Sequence, residues 1–458
     1  MIIRNTTLIF IINICIVYGQ SYPDQFYSYK DSALFKKIIS FNGTEISQDE
    51  KSIVLSDGIT DGDVTFEPDS SEFPFNRGLP SWNGFAPNDY SSFKVTMRFY
   101  DEAGSTWSPW LTVGFWKANI WSSYGSTSYS GGKIDIDNAV LSSYHYKWQF
   151  KVLMKRTSSN QPSPGLYKLG FFVSDQKTTD NVNITSIVSD KPENIFVPTE
   201  FFYQYSIDPD IGGDICSPTS VSMVLRSYNI EVDPLQFAKD TKCPYWEIFG
   251  IWPRVVQNAS EYGVDGAVTR YRTWSDAEKI LAEGGRVVMS VGSPLYPSGH
   301  LMMLAGFDNA GTPIVHDPAR SNGYSYKFNK TTLSQSWFIK GGIAYTFFPK
   351  DTSNITSVET AASNHPEGIY LFDNYPNPFN PSTIIGFQVA NSGFVSLKVY
   401  DILGREVKTL INKEMVPGKY EILFDASGLP TGIYVYSLYV LTPDSKINCI
   451  NKKMMYLK

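Results

Sequence analysis

The sequence predicts a multidomain, β-rich protein: an N-terminal β-sandwich, a central α+β domain and a small C-terminal β-sandwich. Three observations predict it. Residues 21 to about 190 carry period-2 stretches such as Phe93-Lys94-Val95-Thr96-Met97-Arg98-Phe99 between turn clusters such as Asp101-Glu102-Ala103-Gly104. From about Pro192 to Phe348 apolar residues fall first at helical and then at strand spacing. The last ninety or so residues return to short strands, Ile384–Val389, Val395–Tyr400, Tyr420–Phe424 and Ile433–Leu438. The expected boundaries are 1–19 for an export signal, 20–190, 191–350, a linker at 351–367, and 368–458.

Composition limits the function classes. Among 458 residues, 18% are charged and 15% aromatic, a recipe for folded β domains rather than disorder. The net charge of -6, with no long basic run, argues against a nucleic-acid partner. Residues 1–19 read as a signal: Arg4 is the basic start, Leu8 to Tyr18 the apolar core, and Val17-Tyr18-Gly19 the cleavage site. That apolar run is short for a bilayer span. Four cysteines occur, Cys15, Cys216, Cys243 and Cys449, and removing the signal leaves three. An odd number in an exported chain implies a free thiol. No cysteine spacing resembles a zinc site, and four scattered histidines make no metal centre, so neither metal nor cofactor is expected.

In the N-terminal part six tryptophans cluster: Trp82, Trp107, Trp110, Trp116, Trp121 and Trp148. They read as core and rim aromatics of a sandwich, with a glycan- or peptide-binding platform as the functional alternative. Asp135 and Asp137 form an Asp-rich turn.

The central part opens its helices at Asp214-Ile215-Cys216-Ser217-Pro218-Thr219-Ser220. Val221, Val224, Leu225 and Tyr228 follow at i, i+3, i+4 and i+7. A thiol at a helix start faces unpaired backbone N–H groups and the positive dipole end, which favour thiolate. Further helices are expected near Asp233–Asp240 and Trp252–Tyr262, and from Ser275 with a capping box to Glu278. Strands are expected at Arg286–Val291, His300–Phe307 and Pro313–His316.

A thiolate nucleophile needs a base, and imidazole suits neutral pH. His300 opens its strand after Pro297-Ser298-Gly299. A turn near Asn309-Ala310-Gly311 brings the next strand antiparallel, so Asp317 at its end becomes the neighbour that orients the imidazole. Gln204 lies upstream as an oxyanion donor alongside the backbone N–H of Cys216. Each residue alone reads as structural; four in this order, at element boundaries of one domain, read as a catalytic set. His316 and Cys243 compete for the same roles. His316 sits mid-strand, facing away, and Lys242-Cys243-Pro244 has no helix-start context. A Cys216–Cys243 disulfide is the bland alternative.

At these residues the sequence resembles the papain-like cysteine peptidases of the bacteriocin-leader-processing, C39-like family, in their stand-alone secreted form. The resemblance rests on Val197-Pro198 with Gln204, Cys216-Ser217-Pro218-Thr219, Gly299-His300 through Gly306-Phe307-Asp308, and Asp317-Pro318. It implies Cys216 as nucleophile, His300 as base, Asp317 as orienter and Gln204 as oxyanion donor. Ser217 replaces the usual Gly. The N-terminal part, with Leu79-Pro80-Ser81-Trp82-Asn83 and Trp107-Ser108-Pro109-Trp110, is similar to a module preceding such domains. The C-terminal part resembles the sorting domain of type IX secretion. It carries Asn374-Tyr375-Pro376-Asn377-Pro378-Phe379-Asn380-Pro381, Val399 to Val407, Gly432-Ile433-Tyr434 and Lys452-Lys453-Met454.

The expectation is a secreted or surface cysteine peptidase with a peptide or protein substrate and the type IX secretion machinery as partner. Two rivals stand beside it. One is a surface binding protein with a degenerate hydrolase domain and a glycan- or protein-binding sandwich. The other is an amidase or acyl-transferring enzyme on the same scaffold.

Overall fold

The computed structural model describes residues 24–117, 120–179, 182–350, 369–389, 393–415, 418–441 and 447–458. The expected signal and linker lie outside these residues. Strands take 46% of the molecule and helices 17%, so it is multidomain and mostly β. It divides into two compact units at Glu359–Thr360. The first two expected parts therefore share one unit.

In the N-terminal part thirteen strands join by hydrogen bonds into one antiparallel system. The strands of the N-terminal part are thus linked into one hydrogen-bonded system, because its longest strands change partners along their length. Asn138–Arg156 pairs with Asp69–Phe85 near its start and with Ser91–Asp101 near its end, with register shifts between Val140 and Lys147. Such irregularities let one strand serve two layers. The core is aromatic: Trp82, Trp116, Trp148, Phe75, Phe93, Phe99 and Phe171 are all buried to within 1% exposure. Trp107 and Trp110 instead stack against Arg98, and Trp121 against Lys94, so a cation already covers one face of each rim ring.

The central part is built on a six-stranded sheet. Its order is Ile195–Phe196, His300–Phe307, Arg286–Val291, Ile343–Pro349 and Val264–Arg270, with Pro313–His316 also paired to the His300 strand. All neighbours are antiparallel. The helix Cys216–Ser227 packs on this sheet, and Ser220 Oγ donates to Leu301 O at 3.0 Å. Helices at Pro234–Thr241 and Trp252–Glu261 follow the expected positions. The fourth helix differs: it runs Trp274–Ala282, and its capping box is Thr273 with Asp276. Ser275 is drawn elsewhere, because its N–H and hydroxyl both donate to Asp190.

The helix Trp252–Glu261 is gripped along its length by the N-terminal sheet. Arg254 Nη1 donates to Phe115 O at 2.6 Å, and Gln257 Nε2 and Ser260 Oγ donate to Gly84 O at 3.0 and 3.1 Å. Glu261 Oε1 accepts from Trp116 Nε1 at 2.6 Å and from Ala86 N at 2.9 Å. Arg254, Gln257 and Ser260 are buried, and these bonds give their donors partners across the boundary, as burial requires.

The C-terminal unit stacks a three-stranded sheet (Tyr370–Leu371, Ser382–Val389, Gly418–Asp425) and a four-stranded one. The latter has the order Glu406–Met415, Gly393–Asp401, Gly432–Leu441, Ile447–Tyr456. Phe379 of the Asn-Pro-rich motif is 2% exposed and stacks on Tyr456 at 5.2 Å. Asn374 Nδ2 donates to Thr383 Oγ1 at 2.9 Å. The motif is thus a packed component of this unit.

Candidate active site

Cys216 is the first residue of its helix. The residue before it, Ile215, offers no side-chain cap, and Thr219 N is bonded to Ile215 O at 3.0 Å. The N–H groups of Cys216 and Ser217 lie ahead of that bond, where a helix leaves its donors unpaired. Pro218 contributes no N–H and fits the first turn. The thiol is partly exposed, and Cys216, Cys243 and Cys449 are all free, so the alternative Cys216–Cys243 bridge is not formed.

His300 opens its strand opposite Val291, just after Gly299 at φ 86, and is 4% exposed. Its Nε2 meets Asp317 Oδ1 at 2.7 Å, which leaves Nδ1 as the nitrogen for the thiol. Asp308 builds the connecting turn, accepting from Ala310 N and Thr312 N, and so sets the hairpin register that aligns the two strands.

Asp317 is fully buried. Its carboxylate also accepts from Tyr296 OH at 2.5 Å and from Ala319 N at 3.1 Å, and Arg320 Nε lies 3.2 Å away. Burial pushes this carboxyl up, but the His300 imidazole and the Tyr296 and Ala319 bonds outweigh it and hold it below the usual range. Burial likewise disfavours the imidazolium of His300. Hydrogen bonding and charge from Asp317 and Cys216 overcome that and raise it to about 9. The group is therefore a charged imidazole at neutral pH, set against a carboxylate on one nitrogen and a sulfur on the other.

Gln204 is buried and starts the short helix Gln204–Ile207. Its Nε2 donates to Gly212 O at 2.6 Å, in the turn just before Cys216. One amide hydrogen is thereby committed, and its Oε1 is without a partner among the described residues. His316 is buried with Nε2 on Val197 O at 3.2 Å, and Nδ1 accepts from Ser325 N at 3.1 Å. Burial drives it down to about 4, so it stays neutral at neutral pH, with both ring nitrogens already bonded.

Three neighbours escape sequence reasoning. Tyr296 lies over His300 with ring centroids 4.2 Å apart, in a turn that no periodicity marks. Ser217 Oγ pairs with Tyr345 OH at 2.8 Å, binding the helix start to a strand far along the chain. Lys340 Nζ donates to Ser290 Oγ at 3.0 Å and Val291 O at 3.2 Å, next to the His300 pairing. Among the described residues no group of three or more His, Cys, Asp or Glu could hold a metal.

Comparisons with known proteins bear on this arrangement. No curated protein matches the chain. Solved structures align with it at low identity. CopC from Methylosinus trichosporium OB3b is 21% identical over 19% of this chain and 93% of its own, with a TM-score of 0.15. Dimeric latent PorU from Porphyromonas gingivalis is 11% identical over 95% of this chain and 34% of its own, with a TM-score of 0.19. The CBM51-2 and INT domains of Clostridium perfringens ZmpB are 11% identical over 94% and 80%, with a TM-score of 0.15. At such scores these alignments carry no argument about fold. No helix among the described residues is long and apolar enough to cross a membrane. Residues 373–448 match the secretion system C-terminal sorting domain, which marks the chain for type IX export to the cell surface or beyond. Two further matches lie within the unit that holds the thiol and imidazole: residues 48–174 to the Peptidase C39 N-terminal domain, and residues 197–345 to the Peptidase_C39 like family.

Proposed function

We propose that this chain is an exported, papain-like cysteine peptidase that cleaves peptide bonds through a thioester on Cys216. The observation that carries the reading is the 2.7 Å contact of His300 Nε2 with buried Asp317, beside a partly exposed thiol at a helix start. The Cys216 thiolate attacks the scissile carbonyl carbon. The backbone N–H of Cys216 and the remaining amide hydrogen of Gln204 receive the oxyanion. His300 gives its Nδ1 proton to the leaving amine as the C–N bond breaks and the thioester remains. Water then loses a proton to Nδ1, attacks the thioester, and expels the thiolate with a carboxylic acid product. Asp317 keeps the imidazole oriented and stabilises its charge throughout. The sorting domain engages the type IX machinery, and its removal follows export.

Replacing Cys216 by alanine is expected to abolish peptide turnover and labelling by a thiol-directed peptide warhead near pH 7, with an unchanged melting temperature. Turnover that survives the replacement refutes the reading.

One observation favours a second reading, a surface binding protein with an inactive site: the Gln204 amide spends a hydrogen on Gly212 O. That reading expects a wild-type Cys216 inert to the warhead. It draws less support from the tryptophans, three of which are core and three of which stack on cations.

A further inference from the structure

The segment between Cys243 and Trp252 passes the thiol on one side. Phe249 packs with Ile215, the residue before Cys216. A Cβ on Gly250 would stand 3.4 Å from the Cβ of Ser217, the residue after it. The segment closes on itself: Cys243 N donates to Ile248 O at 2.9 Å and Glu247 N to Cys243 O at 2.7 Å. It leaves Tyr245, Trp246 and Ile248 57%, 36% and 38% exposed, three large apolar side chains in water on the segment that packs against the residues flanking Cys216. Grouped exposure of this kind marks a surface that something else covers.

Loops of the N-terminal part brace this segment at two points. Buried Tyr124 stacks on Tyr245 with centroids 4.6 Å apart and meets Trp246 edge-on at 5.9 Å, while Tyr245 and Trp246 meet edge-on at 4.9 Å. The second point is Asp137. The helix Trp252–Glu261 has no side-chain cap from Ile251, and Asp137 Oδ2 accepts its Trp252 N–H at 3.1 Å instead. Reaching it takes a tight turn in which Asp137 N donates to Asp135 O at 2.7 Å and Ile136 adopts φ 62. A β-branched residue in that region is strained, a cost found where a side chain must be delivered to one place.

Resting on the peptidase reading above, we propose that Tyr245, Trp246 and Ile248 form a wall that recognises a large apolar or aromatic side chain of the peptide substrate. Loops of the N-terminal part hold that wall through Tyr124 and Asp137. Rings already ordered by stacking lose little conformational entropy when a substrate side chain lands on them, so the contact area goes into selectivity. Asp137 is a positioning residue: it touches the start of the helix behind the wall and acts on substrate only through it. The part matched to the C39 N-terminal domain thereby contributes to the same cleft as the thiol.

The test uses the whole protein carrying Cys216→Ala, so that binding is read without cleavage. Peptides differing at one position, with Phe, Leu, Ala or Asp moved along the sequence, are titrated by calorimetry. At one position Phe and Leu are expected to bind about tenfold tighter than Ala. Adding Trp246→Ala, at an exposed site that folding tolerates, should bring that ratio to within about twofold. Asp137→Ala should lower the ratio in the same direction, and Asp137→Asn, whose amide oxygen still accepts the Trp252 N–H, should restore it. Absence of any apolar preference, or its persistence in Trp246→Ala, overturns the proposal. Failure of the peptidase reading looks different: the apolar preference in binding remains while the unaltered protein shows no Cys216-dependent turnover.

Discussion

His300 and His316 sit on two paired strands of one sheet, both almost wholly buried, and they end in opposite states. His300 is raised to about 9 and His316 is lowered to about 4. Desolvation acts against the charge of both rings. What separates them is the partner. His300 faces a carboxylate and a sulfur, whereas His316 lies between a carbonyl that accepts its ring N–H and a backbone N–H that donates to its other nitrogen. Burial alone thus predicts nothing about an imidazole; the charge of the group opposite it decides.

The comparison can be broken most severely at His300. Replacing His300 by alanine removes the proton carrier and should lower kcat/KM by about 10²–10⁴-fold, measured on any peptide the unaltered protein cleaves. Asp317→Asn is the sharper probe, because it keeps the shape of the contact and removes the charge that raises the imidazole. Its loss in kcat/KM should be nearer about 10²-fold, and the alkaline limb of the pH profile should move down from about 9. An alkaline limb that stays in place would assign it to another group.

His316 gives the smallest effect, and on stability rather than turnover. Its folded pKa lies below the unfolded value, so below about 6.5 the unfolded chain takes up a proton that the folded ring refuses. Stability is therefore lost as pH falls from about 6.5 to 4, by on the order of 3 kcal/mol. Conversely, His300 contributes stability that is full below about 6.5 and is lost as pH rises through about 9. Melting temperature followed across this range should show His316→Asn flattening the acid side while leaving the alkaline side unchanged.

Much of this was legible in the sequence where one local signal sufficed. The Cys216 helix start, the strands Arg286–Val291, His300–Phe307 and Pro313–His316, and the turn at Asn309-Ala310-Gly311 stand where spacing and turn chemistry put them. The neighbourhood of His300 and Asp317 followed from that hairpin, because antiparallel pairing converts sequence order into distance. What stayed hidden depends on distant partners. Thr273 rather than Ser275 caps its helix because Asp190, far upstream, claims the serine. The strands Val264–Arg270 and Ile343–Pro349 take their places through each other, across seven paired residues. Gln204 was found as a residue, but its bond to Gly212 O follows from the turn geometry before Cys216, which composition does not encode. The union of the first two parts was equally hidden, since its bonds join Gly84, Phe115 and Trp116 to a helix more than a hundred residues later.

That helix has a consequence for how such a protein can be recombined. Moving residues 197–345 into another chain by themselves would leave Arg254, Gln257, Ser260 and Glu261 with donors and acceptors facing solvent or a foreign surface. A transplant that keeps the chemistry must therefore carry the upstream β-sheet neighbour as luggage, and the two segments are inherited as a single part rather than as interchangeable modules.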